Sequence, residues 1–252
     1  MPISSRTTRR RYLSFILFVA VAIPLAAQEK EKEPSSSERY EWRSDHDPNG
    51  IGKFYMGREI AHVMGFAGAP WLERDTREEE ERLTLLVKSL KLKDGDVIAD
   101  IGAGSGVISA LMAEQIAPTG YVIGVDVQDE MLLLLQANAR KKGLTNIVPI
   151  KGSQKSPSLA PASVDLALMV DVYHEFEFPY EMMGEIAKAM KPGGRVVLVE
   201  YRKEDPTVPI KLVHKMTQAQ AKLEVEQSEF GLKWTETIGV LPRQHIIVFT
   251  KQ

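Results

Sequence analysis

The sequence predicts an α/β fold in which a parallel β-sheet is covered by helices on both faces. The first observation is that short apolar runs alternate with longer segments of helical periodicity, which is typical of strands joined by crossover helices. The second is that these short runs are apolar throughout, as expected of strands buried on both faces. Seven such strands can be assigned, and no internal repeat interrupts them.

The predicted elements begin with a helix from about Thr76 to Leu90. Asp75 and Glu78 have the spacing of a capping box, and apolar residues then recur at helical spacing. The four acids at 78–81 are expected to face water in the first turns of this helix, where they favour its dipole. The later strands are predicted at 97–101, 121–125, 147–150, 164–170, 195–200, 233–238 and 245–250, and the helices at 107–116, 130–142, 179–190 and 217–230.

The first 50 residues are predicted to lie outside the folded domain. Residues 1–27 combine an arginine-rich start with an apolar stretch that ends in small residues, which indicates a signal peptide and an exported, periplasmic or extracytoplasmic protein. The alternative is a retained membrane anchor, although the apolar stretch is shorter than the roughly 20 residues that span a bilayer. Residues 28–50 are predicted to be a charged flexible tether. The domain then covers 51–252, and its segment 51–74 is expected to be a lid of short helix and loops, with Tyr55 to Arg58 closing over a ligand.

Composition excludes several classes of function. The formal net charge is −2, and the first 27 residues carry four arginines and no acid. The rest of the chain is therefore acidic, and we expect no basic surface there for nucleic acid. The chain has no cysteine, which excludes disulfides, cysteine nucleophiles and thiolate metal sites.

The most informative segment is the strand at 97–101 that runs into a turn containing Gly102, Gly104 and Gly106. Glycines in such a turn adopt unusual backbone angles and allow a ligand to approach the main chain. A dinucleotide fingerprint would place its third glycine at Val107, so a nicotinamide cofactor is disfavoured. Asp126 ends the next strand, where a carboxylate can accept both hydroxyls of a ribose. The pattern therefore predicts a nucleoside ligand.

These motifs, the strand that leads to Asp171, and the turn at 191–195 resemble the class I S-adenosylmethionine-dependent methyltransferases, notably the ubiquinone/menaquinone and arsenite types. The resemblance implies a Rossmann-like, doubly wound, mostly parallel seven-stranded sheet with an antiparallel C-terminal strand. It also implies S-adenosylmethionine as the cofactor. The residues implied to bind it are Asp100, Gly102, Ala103, Gly104 and Gly106 around the methionine part, Asp126, Val127 and Gln128 around the ribose, Gly152, Ser153 and Gln154 around the adenine, and Asp171. Ser153 departs from the aspartate that is commoner in the family.

The methyl acceptor is expected beyond the fourth strand, at Asp171 to Glu175. His174 is the first choice for a general base, with Asp171 orienting it and Tyr173 supplying a wall or a hydrogen bond. The other wall is expected from 200–202 and 206–215, with His214 and Lys215 on the surface. A metal held by His174, Glu175 and Asp171 is an alternative that the sequence does not favour, because no third histidine lies nearby and there is no cysteine.

The sequence thus favours a methyltransferase that acts on a small-molecule acceptor. The alternative is a non-catalytic protein that binds S-adenosylmethionine or S-adenosylhomocysteine. No nucleic-acid partner is expected, and contact with a membrane is expected only through an uncleaved N-terminal segment. The sequence does not determine the oligomeric state.

Overall fold

A computed structural model describes Met1 and residues 39–252. The predicted signal peptide, apart from Met1, and residues 28–38 of the predicted tether lie outside the described residues. No helix in the described part of the chain has the length and apolar character needed to cross a bilayer.

The main sheet has seven strands in the order β6-β5-β4-β7-β8-β10-β9. Strands β4 to β8 pair in parallel, and β10 runs antiparallel to both of its neighbours. This confirms the predicted doubly wound sheet and its antiparallel C-terminal strand. The strands are β4 (Val97–Ile101), β5 (Tyr121–Asp126), β6 (Ile147–Lys151), β7 (Val164–Val170), β8 (Met190–Tyr201), β9 (Leu232–Ile238) and β10 (Gln244–Lys251).

Helices cover both faces of this sheet because its inner strands are apolar on both sides. In one core, Met183 and Ala221 of the helices pack against one face of the sheet. In the other core, Leu86 and Met112 pack against the opposite face. The helices are α1 (Ala69–Leu72), α2 (Arg77–Glu81), α3 (Leu83–Ser89), α4 (Val107–Ile116), α5 (Asp129–Lys141), α6 (Pro179–Ala189) and α7 (Gln218–Val225).

The order of the strands reverses at β4, which lies between β5 on one side and β7 on the other. Crossover connections therefore leave β4 and β7 in opposite directions and open a crevice beyond their carboxyl ends. Gly102, Asp126, Gly152 and Asp171 each follow or end one of these strands. The fold thus gathers residues that lie up to about 70 positions apart in the sequence at one edge of the sheet.

The end of the predicted tether, from Tyr40 onward, is part of the fold, because β1 (Tyr40–Trp42) pairs with β2 (Gly50–Tyr55). A second, three-stranded antiparallel sheet is completed by β3 (Arg58–Ala61). The first part of the expected lid is therefore a β-hairpin rather than a helix with loops. Arg58 anchors it, since Nε and Nη2 of this buried side chain donate to the Glu224 carboxylate of α7 at 2.7 and 2.8 Å.

The single helix predicted from Thr76 to Leu90 is wrong. Arg82 has a φ of 57°, in the left-handed region, and separates α2 from α3. The predicted capping box is absent as well, because the helix begins after Thr76 without a side-chain cap. The break follows from Glu81, which is turned inward with 1% exposure instead of facing water.

We expect Arg58→Met to lower the free energy of unfolding by about 3–5 kcal/mol, because it leaves the buried Glu224 carboxylate without its charged partner. Urea unfolding of the full chain measures this change. Lys188→Ala is the matched control, since it removes an exposed ion pair with Glu185 and should change stability by only about 0.5 kcal/mol. Equal effects of the two substitutions would contradict the anchoring role of Arg58.

Candidate functional site

A cavity of about 600 Å³ opens at the carboxyl edge of the main sheet, where the order of the strands reverses. Its volume lies within the range of roughly 300–1,000 Å³ that is usual for ligand pockets. Ten of the residues predicted from the sequence line it. They are Gly102, Gly104, Asp126, Val127, Gln128, Gly152, Ser153, Gln154, Asp171 and His174.

The glycine turn needs its glycines for two different reasons. Gly102, Gly104 and Gly106 have φ values of 74°, 54° and 80°, which other residues rarely adopt. A Cβ at Gly104 would also approach Cδ1 of Leu72 to 2.5 Å, and one at Gly106 would approach Cγ of Leu135 to 2.8 Å. Gly106 and Ala103 do not line the cavity. Gly106 therefore allows α4 to pack against α5, while Gly102 and Gly104 expose backbone to the cavity.

Asp126 is fixed by the backbone of this turn. Its Oδ2 accepts a hydrogen bond from the Gly104 N–H at 3.0 Å, and its Oδ1 accepts one from the Gln128 N–H at 2.9 Å. Each carboxylate oxygen has a second lone pair, so both can still accept from a ligand. Burial raises the pKa of Asp126, and the backbone hydrogen bonds, which lower the pKa, offset this effect only in part. The side chain is thus held in one orientation at the cavity wall.

Gln128 connects the cavity to the segment after β3. Its side-chain amide donates to the Met64 carbonyl at 3.0 Å, and its Oε1 accepts from the Phe66 N–H at 2.7 Å. Met64, Trp71 and Leu72 of this segment line the cavity. The later part of the expected lid therefore does line the cavity. Tyr55 and Arg58 are buried and do not line it, contrary to the expectation that they close over the ligand.

Asp100 lies behind the glycine turn and does not line the cavity. Its Oδ2 accepts a hydrogen bond from the Ser109 hydroxyl at 2.5 Å, and only 3% of the residue is exposed. Burial raises its pKa to about 6, although the Ser109 hydrogen bond and the Arg77 charge oppose the shift. The carboxylate therefore supports the turn from behind.

Asp171 lies in the cavity wall with a left-handed backbone, at a φ of 53°. Its Oδ2 accepts a hydrogen bond from the Gln244 amide at 2.7 Å, while its buried Oδ1 has no hydrogen-bond partner within the described residues. Burial and the negative charges of Glu81 and Glu200 raise its pKa well above the ordinary value. An unpartnered buried oxygen at a cavity wall is suited to a ligand donor.

His174 is oriented by Glu200 at the end of β8, not by Asp171 as predicted. Its Nδ1 lies 2.6 Å from Oε2 of Glu200, and its Nε2 lies 3.2 Å from Nδ1 of His214. Burial lowers the pKa of His174 to about 4 and raises that of Glu200 to about 8, so the pair is uncharged overall near neutral pH. The ring is locked with Nε2 toward His214.

Two further predictions in this region are wrong. Tyr173 is fully buried in the main core against Phe176 and does not line the cavity, so it provides neither its wall nor a hydrogen bond to a ligand. His214 and Lys215 are not surface residues: His214 lines the cavity and Lys215 is 4% exposed. The expected wall from 200–202 and 206–215 does contribute to the cavity, through Tyr201 and residues 209–211 and 214.

The sequence analysis missed a cluster of charges beside the glycine turn. Glu81 accepts hydrogen bonds from Arg74, from Nε of Arg77 at 2.8 Å and from the Tyr201 hydroxyl at 2.8 Å. Arg77, Glu81 and Tyr201 line the cavity. The one available signal was the position of Arg74 and Arg77 next to the acidic run, which could have indicated an inward-facing ion pair.

Comparison with known proteins identifies the family and the fold. The family model described as a methyltransferase domain matches residues 92–241. A demethylmenaquinone methyltransferase from Lactobacillus johnsonii is 30% identical over 49% of this chain and 50% of its own length. An arsenite methyltransferase from Halobacterium salinarum is 27% identical over 44% of this chain and 29% of its own length. The chain thus spans half the length, or less, of these curated relatives.

A solved structure gives the same fold. The crystal structure of an S-adenosylmethionine-dependent methyltransferase from Aquifex aeolicus superposes with a TM-score of 0.70 at 20% identity, over 75% of this chain and all of the other chain. At this identity the likeness concerns the fold alone, and it confirms the seven-stranded architecture predicted from the sequence.

We expect Asp100→Asn to increase the free energy of unfolding at pH 8 by about 1–3 kcal/mol. The folded chain holds the Asp100 proton up to a pH of about 6, whereas the unfolded chain releases it near 3.8. The folded chain therefore binds more protons in that window, and the wild type loses stability as the pH rises through it.

Urea unfolding of both proteins at pH 5 and pH 8 measures the effect, which should shrink at the lower pH because Asp100 is then protonated in the folded wild type. Asp94→Asn is the control, because Asp94 is exposed and its substitution should have a small effect at both pH values. A difference between Asp100→Asn and wild type that is the same at pH 5 and pH 8 would contradict the buried-charge explanation.

Proposed function

The chain belongs to the methyltransferase-domain family, and we propose that it transfers the methyl group of S-adenosylmethionine to a small-molecule acceptor. One observation carries this proposal: a single cavity joins the nucleoside-type wall at Asp126 to the acid–base group at His174. A cofactor and an acceptor bound in one continuous cavity can react directly, which a methyl transfer requires.

The residues at the glycine-turn end fit the cofactor that the family implies. Asp126 offers two fixed carboxylate oxygens to a ribose, and the left-handed backbone at Gly102 and Gly104 leaves room for the methionine part. Ser153 and Gln154 line the cavity beyond β6, where the adenine is expected. Asp171 lines the same cavity, and its buried Oδ1 has no hydrogen-bond partner within the described residues.

When bound, S-adenosylmethionine supplies an electrophilic methyl group on a sulfonium. The main tasks of the protein are then alignment of the acceptor and exclusion of water. Met64, Trp71 and Leu72 supply an apolar cover, and Phe176 and Met182 line the cavity as well. His174, held by Glu200 with Nε2 toward the acceptor side, is the residue that acts on the proton of the acceptor.

We further propose that the protein acts outside the cytoplasm, on the basis of the arginine-rich and apolar segment at 1–27. The acceptor is proposed to be small, because the cavity is about 600 Å³ and the cofactor takes part of it. The sequence beyond residue 27 is acidic, and this supports the proposal that nucleic acid is not a partner.

We expect Asp126→Ala to weaken binding of S-adenosylmethionine roughly 100-fold, since two hydrogen bonds to a charged group are lost. Calorimetric titration of the full chain measures the dissociation constant, with NAD titrated separately. Asp129→Ala is the matched control because Asp129 is exposed and pairs only with Lys151. Unchanged binding in Asp126→Ala, or binding of NAD alone, would contradict the proposed cofactor site.

We expect His174→Ala to leave the affinity for S-adenosylmethionine within a few fold of wild type and to lower turnover roughly 100-fold or more. Transfer of a labelled methyl group to a panel of phenols, thiols, arsenite and demethylmenaquinone identifies the acceptor and measures turnover. Tight cofactor binding by the wild type without transfer to any acceptor would instead favour the non-catalytic binding protein.

A further inference from the structure

Three side chains with metal-ligand atoms converge on the acceptor side of the cavity. His174, Glu175 and His214 each direct one such atom to a common point, and the three atoms lie within 4.8 Å of one another. His214 reaches this point from a short 3₁₀ turn, Leu212–His214, some 40 residues after His174. The sequence argument against a metal depended on the lack of a further nearby histidine, and the fold removes that argument.

The separations of these atoms suit a small divalent ion. Nε2 of His174 lies 3.2 Å from Nδ1 of His214, and Oε1 of Glu175 lies 3.7 Å from His214 and 4.0 Å from His174. Ligands at about 2.0–2.1 Å from a tetrahedral Zn²⁺ are about 3.3 Å apart. Small side-chain rotations would bring the carboxylate to that distance.

Hydrogen bonds with residues outside the cluster orient two of its three side chains, His174 and Glu175. Glu200 occupies Nδ1 of His174 at 2.6 Å, which directs Nε2 to the common point. The Met64 N–H donates to Oε2 of Glu175 at 3.3 Å, which leaves Oε1 for the ion. A carboxylate behind a histidine ligand is the usual support of protein zinc sites.

We propose that His174, Glu175 and His214 bind one divalent transition-metal ion of the Zn²⁺ type. Two imidazoles and one carboxylate form the ligand set of many catalytic zinc sites, and they leave a fourth position open. All three residues line the cavity, so the open position faces the acceptor.

This site deepens the proposed function and depends on it for the following step. An acceptor with a hydroxyl or thiol group coordinates the ion through oxygen or sulfur and releases its proton to solvent, because the ion stabilises the anion. The anion then forms a bond to the methyl carbon while the carbon–sulfonium bond breaks, which yields the methylated acceptor and S-adenosylhomocysteine. His174 thus acts on the proton of the acceptor through the ion that it binds, and not by accepting the proton at Nε2.

Cobalt binding tests the metal site without any methyl transfer. The full chain is freed of metal with a chelator, dialysed and titrated with Co²⁺, whose visible absorption reports a site with nitrogen and oxygen ligands. We expect one Co²⁺ per chain, displaced by Zn²⁺. His214→Ala should weaken binding by more than about 100-fold, and Glu200→Gln by about 10–100-fold, the range known for outer partners. His46→Ala is the control, because His46 is exposed and lies outside the cluster.

Absence of stoichiometric Co²⁺ binding, or equal binding by His214→Ala and wild type, overturns the metal site. Calorimetric titration with S-adenosylmethionine on the same metal-free samples separates this outcome from failure of the proposed function. The open position is tested with 2-mercaptoethanol, which should change the Co²⁺ absorption of the wild type. An unchanged spectrum overturns coordination of the acceptor by the ion.

Discussion

The structure of the site depends on one backbone constraint, the left-handed turn that follows β4. β4 lies where the strand order reverses, so its turn must clear the crevice for a ligand and also begin α4. Gly102 and Gly104 meet the first requirement and Gly106 the second. The Asp126 carboxylate accepts the Gly104 N–H and so joins the turn to the end of β5. Side chains that line the cavity and the main chain of the turn are thereby fixed together.

Burial of charge is the second constraint, and three buried glutamates have defined partners. Glu224 pairs with Arg58, Glu81 pairs with Arg74 and Arg77, and Glu200 shares a hydrogen bond with His174. Burial alone would make each carboxylate costly, and the raised pKa values of Glu200 and Asp171 show that the cost is only partly offset. Buried acids with raised pKa values are typical of functional sites, where groups needed for the chemistry are kept although they lower stability.

Much of the fold could be predicted because the strands of the main sheet are apolar runs of definite length. β4 and β7 have the predicted bounds, and the glycine turn has a specific spacing. The N-terminal hairpin could not be predicted in this way, since β1 is three residues long and its pairing with β2 depends on tertiary contacts. The break at Arg82 was missed for the same reason: it depends on the ion pairs of Glu81, which periodicity does not report.

Only part of the cavity lining comes from the region that matches the family model. The glycine turn, Asp126 and His174 lie inside the matched residues 92–241, whereas Met64, Trp71 and Leu72 lie before them. The cover of the cavity therefore comes from a segment outside the matched region, and it meets the acceptor side through the hydrogen bond from Met64 to Glu175. Under the proposed methyl transfer, this segment and the stretch that carries His214 enclose the acceptor, and we expect these two parts of the chain to decide acceptor specificity.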